Sequence, residues 1–327
     1  IPMGSQGFPM TIDQAMKLEP ELDKIYKNEP DTREVIDLAK KMEGCSRHIS
    51  VHAAGVVIAP KPLVEYLPLQ FEPKGGKIIT QYDMHSVESA GLLKFDFLGI
   101  RNLAILGDAV TLIEQHEQKN LDIENIPLDD ATTFALLARG ETAGLFQLNG
   151  SGMTRYLKDL KPTTIHDINA MVALYRPGPI ESIPSYIQRK HNPRLVRFFD
   201  PRMKDILQQS HGIMVYQDDV LMTAIKLGGY SWLEVDKLRK AMGKKIPAEM
   251  EAQRLKLIDG FVKNGMAPVK AKELWKLIEP FAAYGFNKAH AASYGLVAYQ
   301  TAYAKANFPG EYMTAILTAE SGDVEKI

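Results

Sequence analysis

The sequence Gly91-Leu92-Leu93-Lys94-Phe95-Asp96-Phe97-Leu98-Gly99 is a short apolar run with an aspartate near its centre and a glycine at each end. This pattern predicts a β-strand bounded by turns. Side chains alternate across a strand, so one face carries Leu92, Lys94, Asp96 and Leu98. The opposite face carries Leu93, Phe95 and Phe97, and we expect it to pack in the core. A carboxylate beside a lysine on a rigid strand could bind a metal ion or phosphates, or it could be an ion pair without chemistry.

The composition is that of a globular protein with more than one domain. The chain has 327 residues, 45% of them hydrophobic, which predicts two or three domains and argues against disorder. No apolar run approaches the roughly 20 residues of a membrane-spanning helix, and no signal peptide is visible. The single cysteine, Cys45, excludes an internal disulfide and a cysteine-rich zinc site. We expect a cytoplasmic protein, and the lack of a first methionine indicates a piece of a longer chain.

The charges are balanced in total but unevenly distributed. The net charge is −1 and the sequence pI is about 6.8, which argues against a strongly basic nucleic-acid-binding domain. Basic residues nevertheless crowd two segments, Arg176, Arg189, Lys190, Arg194 and Arg197, and then Lys237, Arg239, Lys240, Lys244 and Lys245. A neutral total can therefore hide a basic groove. Lysines near a helix end also compensate the helix dipole, so a solvated basic face is the alternative for the second segment.

The pattern of elements changes along the chain. Residues 1–44 contain short helix signals. Residues 45–100 contain strand-like runs that predict a small mixed sheet, at 56–59, 78–82 and 92–98. From Asn102 onward the chain is almost entirely helical, including an amphipathic helix over residues 215–227. This order predicts an α+β protein with a small sheet and a large helical part.

Two familiar catalytic patterns are absent from the sequence. His48 and His52 are four residues apart, but no glutamate follows in the His-Glu-x-x-His manner of zinc proteases. Hydrogen-bonding histidines beside the sheet are therefore favoured over a metal-binding pair. No G-x-x-x-x-G-K-S/T loop occurs, which disfavours a P-loop ATPase.

Three residues of the helical part lie where an anion could bind. Arg176 follows Tyr175 and precedes Pro177-Gly178-Pro179, where the prolines and the glycine force a rigid exit from a helix. An arginine there is well placed to reach an anion, or it is an ordinary surface arginine. Lys288 and His290 follow Asn287, which we expect to cap a helix of small residues. The positive end of that helix favours a phosphate, with an ordinary core helix as the alternative.

Five long motifs occur in one order along the chain. They are His52-Ala53-Ala54-Gly55-Val56-Val57-Ile58, the stretch from Gly91 to Gly99, Tyr175-Arg176-Pro177-Gly178-Pro179, Leu238-Arg239-Lys240-Ala241-Met242-Gly243-Lys244-Lys245 and Tyr284-Gly285-Phe286-Asn287-Lys288-Ala289-His290. As a set they closely resemble the catalytic alpha subunits of bacterial DNA polymerase III, the C-family of replicative DNA polymerases. The resemblance runs from one end of the chain to the other.

The resemblance implies a particular architecture. The family has a palm with a nucleotidyltransferase fold related to polymerase beta, a helical thumb and large, mostly α-helical fingers. By resemblance, residues 1–44 are part of the thumb, residues 45–100 are the second half of the palm and residues 101–327 are the fingers. The family's palm uses three aspartates, and Asp96 matches the third. The other two belong to an Asp-x-Asp motif that does not occur in this sequence, so we expect the chain to be inactive alone.

The resemblance also implies a reaction, a cofactor and partners. The family transfers a nucleotide from a dNTP to a primer 3′-hydroxyl as a template directs, with two Mg²⁺ ions. Primer–template DNA and dNTP are therefore the expected partners. The sliding clamp and other replisome subunits bind the family through regions that have no counterpart in this sequence.

The site residues carry over from the motifs position by position. Asp96 would hold metal, and Lys94 would orient carboxylates or touch phosphate. The triphosphate and the new base pair would contact Arg176, Lys288, His290, Tyr284, Arg239 and Lys240. The DNA would contact Lys244, Lys245, Arg47 and His52.

Two other classes of function stay open. A helical nucleic-acid-binding module without catalysis would suit the missing carboxylates. A small-molecule transferase built on Asp96 and Lys94 is less favoured, because nothing else in the sequence supplies a substrate pocket.

Overall fold

The computed structural model describes residues 10–45, 48–73, 75–118, 120–244, 247–279, 281 and 285–322. The chain divides into two compact units, Ile1–Ile100 and Arg101–Ile327. Each unit contains its own cluster of buried apolar side chains. Within the described ranges, no helix is both long and apolar enough to cross a membrane.

The smaller unit begins with three short helices, α1 (Ile12–Leu18), α2 (Pro20–Asn28) and α3 (Pro30–Met42). Thr11 and Gln14 form a capping box at the start of α1. The helices α2 and α3 each begin with a proline, whose missing N–H is not needed in the first turn of a helix. Neither α2 nor α3 buries a side chain fully, so these two helices add little to a core.

Four strands and one helix follow, β1 (Gly55–Ile58), β2 (Leu69–Phe71), β3 (Ile78–Thr80), α4 (Met84–Ser89) and β4 (Leu93–Asp96). Strand β1 pairs with β4 and β2 pairs with β3, both antiparallel and in separate sheets. The single mixed sheet predicted from the sequence is therefore wrong. Gly75 and Gly76, both with positive φ, lie in the loop that turns β2 back onto β3. Strand β3 thus pairs with its neighbour in sequence and not with β4.

The buried face of β4 is the opposite of the predicted one. Leu92 is buried, and the Lys94 side chain is only 17% exposed. The three predicted core residues are exposed, Leu93 at 56%, Phe95 at 46% and Phe97 at 67%. Leu92 packs with Leu67 and Val87 in a small apolar cluster that covers one face of the strand. In the described part of the chain, the face that carries Leu93, Phe95 and Phe97 stays exposed. The predicted alternation of side chains is therefore confirmed, whereas the predicted buried face is wrong.

The larger unit is helical. The α-helices among its described residues are α5 (Arg101–Glu117), α6 (Ala131–Arg139), α7 (Ser151–Leu160), α8 (Ile165–Leu174), α9 (Ile183–His191), α10 (Lys204–Leu207), α11 (Gln217–Lys226), α12 (Trp232–Lys244), α13 (Pro247–Lys263), α14 (Pro268–Ile278), α15 (Lys288–Asn307) and α16 (Pro309–Glu320). Helix α15 packs against α5, α6, α8 and α16. Helices α10 to α14 share a second apolar cluster, which includes Val220, Leu238 and Phe261. The small sheets and this helical unit confirm the α+β class.

The contact between α8 and α15 is close because both helices present compact surfaces. Helix α8 is buried at every position from Asp167 to Leu174. Helix α15 buries small residues, among them Ala291, Gly295 and Ala298. A Cβ atom on Gly295 would overlap the Oδ1 atom of Asn169, so only glycine fits at this crossing.

The substitution Gly295→Ala should destabilise the larger unit, because the new methyl group would meet Asn169 of α8. Overpacking of this kind costs about 1–3 kcal/mol of unfolding free energy, which urea unfolding followed by circular dichroism measures. Gly107→Ala is the matched control, since a Cβ on Gly107 of α5 meets no atom within 4 Å. That substitution should be neutral, or stabilising by up to about 1 kcal/mol. Equal unfolding midpoints for the two variants would contradict the close contact.

Candidate functional site

In the smaller unit, Lys94 and Asp96 lie side by side on β4. The Lys94 Nζ atom is 2.7 Å from Oδ1 and 3.0 Å from Oδ2 of Asp96. Strand alternation places both side chains on one face, as predicted. The Asp96 side chain is 40% exposed, against 17% for Lys94, so the carboxylate is the part of the pair that a ligand can reach.

His52 reaches the same carboxylate because of the register between β1 and β4. Gly55 lies opposite Asp96 in this pair, and His52 is three residues before Gly55. The Nδ1 atom of His52 is 3.9 Å from the Oδ1 atom of Asp96. A Cβ on Gly55 would lie 2.8 Å from the Nδ1 atom of His52, so the glycine gives the imidazole room. The sequence motifs assign His52 to DNA and do not connect it with Asp96.

These neighbours keep Asp96 charged. The hydrogen bond from Lys94 lowers the pKa of the Asp96 carboxyl below its usual value. The positive charge of Lys94 acts on that pKa in the same direction, as does that of His52 when its ring is protonated.

Asp96 is suited to bind one magnesium ion but cannot form a complete metal site. Carboxylate oxygen is a ligand that Mg²⁺ accepts, usually together with phosphate oxygens. Within the described ranges, no group of three or more His, Cys, Asp or Glu residues could hold a metal ion. Asp96 therefore fits as one ligand, and further carboxylates are needed for two ions.

In the larger unit, a short bridge joins two segments that are far apart in the sequence. Tyr216 and Phe286 pair in parallel, and the N–H of Gln217 donates to the carbonyl oxygen of Phe286 at 2.9 Å. Because Tyr216 is extended, α11 begins at Gln217. The helix therefore begins two residues after the predicted start at Val215. The reason is the bridge between Tyr216 and Phe286, which holds Tyr216 outside the helix.

Arg176 stacks on Phe286 of this bridge. Its Cζ atom lies 4.4 Å from the centroid of the Phe286 ring. The His290 ring is 5.3 Å from Phe286, and the Tyr294 ring is 4.1 Å from His290. The guanidinium and three rings thus form a row. A cation over an aromatic face gains about 0.5–1 kcal/mol at an exposed site, so stacking positions Arg176 without neutralising its charge.

Lys288 begins α15 beside the other residue of the bridge. Its Nζ atom lies 5.5 Å from the centroid of the Tyr216 ring, and its N–H donates to Asp218 at 2.8 Å. The N–H of His290 donates to the side chain of Asn287 at 2.8 Å, which confirms the predicted cap. Arg176, Lys288 and His290 are all exposed. The structure thus gathers three predicted anion-binding residues around one bridge, two of them at the positive end of a helix.

Asp219 holds the bridge from α11. Its buried carboxylate accepts the N–H groups of Val215 and Tyr216, each at 2.9 Å. Burial raises the pKa of Asp219 to about 6, whereas the two backbone hydrogen bonds and the charge of Lys288 oppose this rise.

The remaining predicted site residues of the chain either lie away from the bridge between Tyr216 and Phe286 or fall outside the residues that the structure describes. Arg239 and Lys240 are exposed on α12, and both pair with Asp236 at 2.7 Å. Lys244 is the last residue of α12. The structure does not describe the side chain of Lys244, or any part of Lys245, Tyr284 and Arg47.

Four residues that form or contact this bridge were not predicted as functional, namely Tyr216, Asp218, Asp219 and Phe286. Acidic residues in the first turn of a helix are a common start signal, which conceals the further contacts of Asp218 and Asp219. Phe286 lies inside a quoted motif, but its spacing does not reveal that it meets Arg176.

Comparison with known families gives two matches to adjoining parts of the chain. The family described as Bacterial DNA polymerase III alpha NTPase domain matches residues 2–99. The family described as Bacterial DNA polymerase III alpha subunit finger domain matches residues 102–265. The chain belongs to the bacterial DNA polymerase III alpha subunit family. The resemblance drawn from the five motifs is therefore confirmed.

Individual DNA polymerase III alpha subunits are similar over nearly the whole chain. DNA polymerase III subunit alpha of Thermus aquaticus is 44% identical over 326 residues, covering 98% of the chain and 27% of the relative. The protein of the same name from Escherichia coli (strain K12) is 42% identical over 329 residues, covering 97% and 28%. The one from Chlamydia pneumoniae is 45% identical over 317 residues, covering 97% and 26%. The chain therefore spans about a quarter of the length of these relatives.

The pH dependence of stability should reveal the burial of Asp219. Its folded-state pKa, about 6, lies above the value of about 4 for an unfolded aspartate. The folded state therefore binds the proton more tightly, and the unfolding free energy should fall as the pH rises from about 4 to 6, by up to about 3 kcal/mol.

Asp219→Asn keeps an acceptor oxygen without the charge, so urea unfolding between pH 4 and 7 should show a flatter pH dependence for this variant. Asp159→Asn, which changes an exposed carboxylate of α7, is the control and should keep the slope of the unsubstituted chain. The same slope for Asp219→Asn as for the unsubstituted chain would contradict the raised pKa.

Proposed function

We propose that the chain is part of the catalytic core of a bacterial replicative DNA polymerase and takes part in template-directed transfer of a nucleotide from dNTP to a primer 3′-hydroxyl. The observation that carries this proposal is the gathering of Arg176, Lys288 and His290 around the bridge between Tyr216 and Phe286. The name of the similar proteins, DNA polymerase III subunit alpha, supports the same activity.

We assign residues 1–44 to the thumb, residues 45–100 to the second half of a nucleotidyltransferase palm and residues 101–327 to the fingers. Two observations support the boundary between the palm and the fingers. They are the division of the chain after Ile100 and the finger-domain match over residues 102–265. The partners in this proposal are primer–template DNA and dNTP, and the reaction takes place in the cytoplasm. The sliding clamp and other replisome subunits bind the whole polymerase through other regions.

In this proposal the triphosphate binds to the exposed cations of the larger unit. Arg176 offers a planar fork of donors, which suits paired phosphate oxygens, and its stack on Phe286 fixes the plane of that fork. Lys288 adds a point charge at the positive end of α15, and His290 adds a ring nitrogen one turn from Tyr294. Arg239 and Lys240 contribute from α12 once a phosphate competes with Asp236. Tyr284 stacks on the new base pair.

Asp96 serves the chemical step in the smaller unit. It provides an ionised carboxylate to a magnesium ion, and Lys94 orients that carboxylate. Bound Mg²⁺ ions would stabilise the attacking and leaving oxygens of the transfer. DNA contacts His52 and Arg47 in this unit, and Lys244 and Lys245 in the larger one. Because the described residues supply one carboxylate, the chain alone should not extend a primer.

The chain should replace the matching segment of DNA polymerase III subunit alpha from Thermus aquaticus, and the chimera should extend a labelled primer. Asp96→Asn should reduce extension by about 100-fold or more, because a metal ligand contributes at least as much as its outer-shell partners. Asp83→Asn is the matched control, since Asp83 is an exposed cap of α4 and asparagine caps equally well. Extension by Asp96→Asn at the parent rate would overturn the metal assignment. A chimera that binds DNA without extending it would favour a non-catalytic binding module.

In the same chimera, Arg176→Gln should raise the KM for dNTP about tenfold or more, in line with loss of charged hydrogen bonds. Phe286→Leu should raise it about two- to fivefold through loss of the stack. Affinity for primer–template DNA, measured by fluorescence anisotropy, should stay nearly constant. Arg194→Gln is the control, because Arg194 is exposed and its side chain has no hydrogen bond or ion pair with a described residue. If Phe286 acts through Arg176, the double variant should be no worse than Arg176→Gln, and additive effects would contradict this coupling.

A further inference from the structure

A half-open cavity of about 740 Å³ lies on the larger unit, next to the turn that follows Arg176. Gly178 and Pro179 form part of its wall, but Arg176, Lys288 and His290 do not. Its volume is in the range of sites that bind small organic molecules, about 300–1,000 Å³. The proposed function uses no residue of this cavity.

The wall of the cavity is largely apolar. Met203, Leu207 and Met214 are buried members of the neighbouring apolar cluster and form part of the lining. The half-buried aromatic residues of the lining are Phe198, Phe199 and Phe281. Aromatic rings prefer to pack against flat apolar groups, and methionine side chains adapt to the shape of a ligand. The lining thus suits a flat, apolar molecule.

Cations converge on the same cavity. Among its described lining residues are three cations, Arg189, Arg197 and Lys276, and one carboxylate, Glu181, which gives these residues a formal charge of +2. The side chains of Lys276 and Glu181 contact no partner among the described residues. A flat apolar molecule that also carries a negative charge would satisfy both properties of the lining.

Arg189 is already held in position for such a ligand. One of its terminal nitrogens, Nη1, donates to the carbonyl oxygens of His211 and Gly212, at 3.2 and 3.1 Å. Gly212 has a positive φ, and a Cβ there would overlap the carbonyl oxygen of Arg197, so this arrangement of carbonyl groups depends on glycine. The donors of Nε and Nη2 have no acceptor among the described residues. A guanidinium carries five N–H donors, and the remaining ones can pair with a carboxylate.

We propose that this cavity binds an aromatic anion, with the rings between the phenylalanine and methionine side chains and the negative group at Arg189 and Lys276. The ligand class is an aromatic carboxylate or sulfonate of about two fused rings. This site is separate from the cations gathered around Phe286, so it does not depend on the proposed polymerase function.

The test is titration of the 327-residue chain with 2-naphthoate by isothermal titration calorimetry, with the neutral 2-naphthamide as the comparison ligand. Naphthoate should bind and naphthamide should bind more weakly. Lys276→Gln should weaken naphthoate binding about two- to fivefold, the range for one exposed ion pair. Lys272→Gln, one turn earlier on the exposed surface of α14, is the matched control and should leave binding unchanged.

A second variant tests the position of the ligand. Ser185 lines the cavity and is exposed, so Ser185→Phe should occupy part of the space and weaken binding while circular dichroism shows an unchanged fold. Arg176→Gln should leave naphthoate binding unchanged, which separates this site from the proposed nucleotide site. No naphthoate binding, equal binding of the two ligands, or equal effects of Lys276→Gln and Lys272→Gln would overturn the proposal. Full binding by a folded Ser185→Phe variant would overturn it as well.

Discussion

The packing of α8 against α15 fixes the geometry of the larger unit. Where the two helices cross, Gly295 leaves no side chain between its backbone and Asn169. Arg176 follows the end of α8, and Lys288 and His290 lie in the first turn of α15. Because each helix is rigid, the distance between α8 and α15 at their crossing determines the positions of these three cations. The close approach of the two helices brings the turn after α8 near the segment before α15, where Arg176 stacks on Phe286.

A buried ion pair holds the other end of α8. Asp167 accepts the N–H groups of Thr163 and Thr164 and pairs with Lys190 of α9 at 2.5 Å. The Asp167 and Lys190 side chains are 4% and 10% exposed, so loss of either one would leave a buried charge without its partner, at a cost of about 3–5 kcal/mol. The pair ties α9 to α8, and the turn that joins these two helices contains Arg176. The turn is therefore restrained by the helix before it and by the helix after it.

Features that depend on neighbours in the sequence were predicted, and features that depend on distant contacts were not. The start of α15 needs only the side chain of Asn287, three residues before the N–H of His290 that it binds, and it agrees with the sequence. Alternation along β4 separates Lys94 from Phe95 but cannot say which face meets a partner, because that depends on Leu67 and Val87. The candidate site follows the same rule. Arg176 and Lys288 are recognisable from a turn and a helix start, whereas the role of Phe286 depends on contacts with residues far away in the sequence.

The two candidate sites differ in how complete they are. In the larger unit, the proposed phosphate site consists of cations that are already exposed and close to one bridge. In the smaller unit, the negative charge of Asp96 is balanced by Lys94, and His52 lies nearby. A second carboxylate near Asp96 would raise the pKa of Asp96 and compete for the same lysine, unless a cation of higher charge were present. A divalent metal ion offsets the repulsion between two closely placed carboxylates, so the proposed metal site depends on a second carboxylate and on the ion, whereas the pair of Lys94 and Asp96 needs neither.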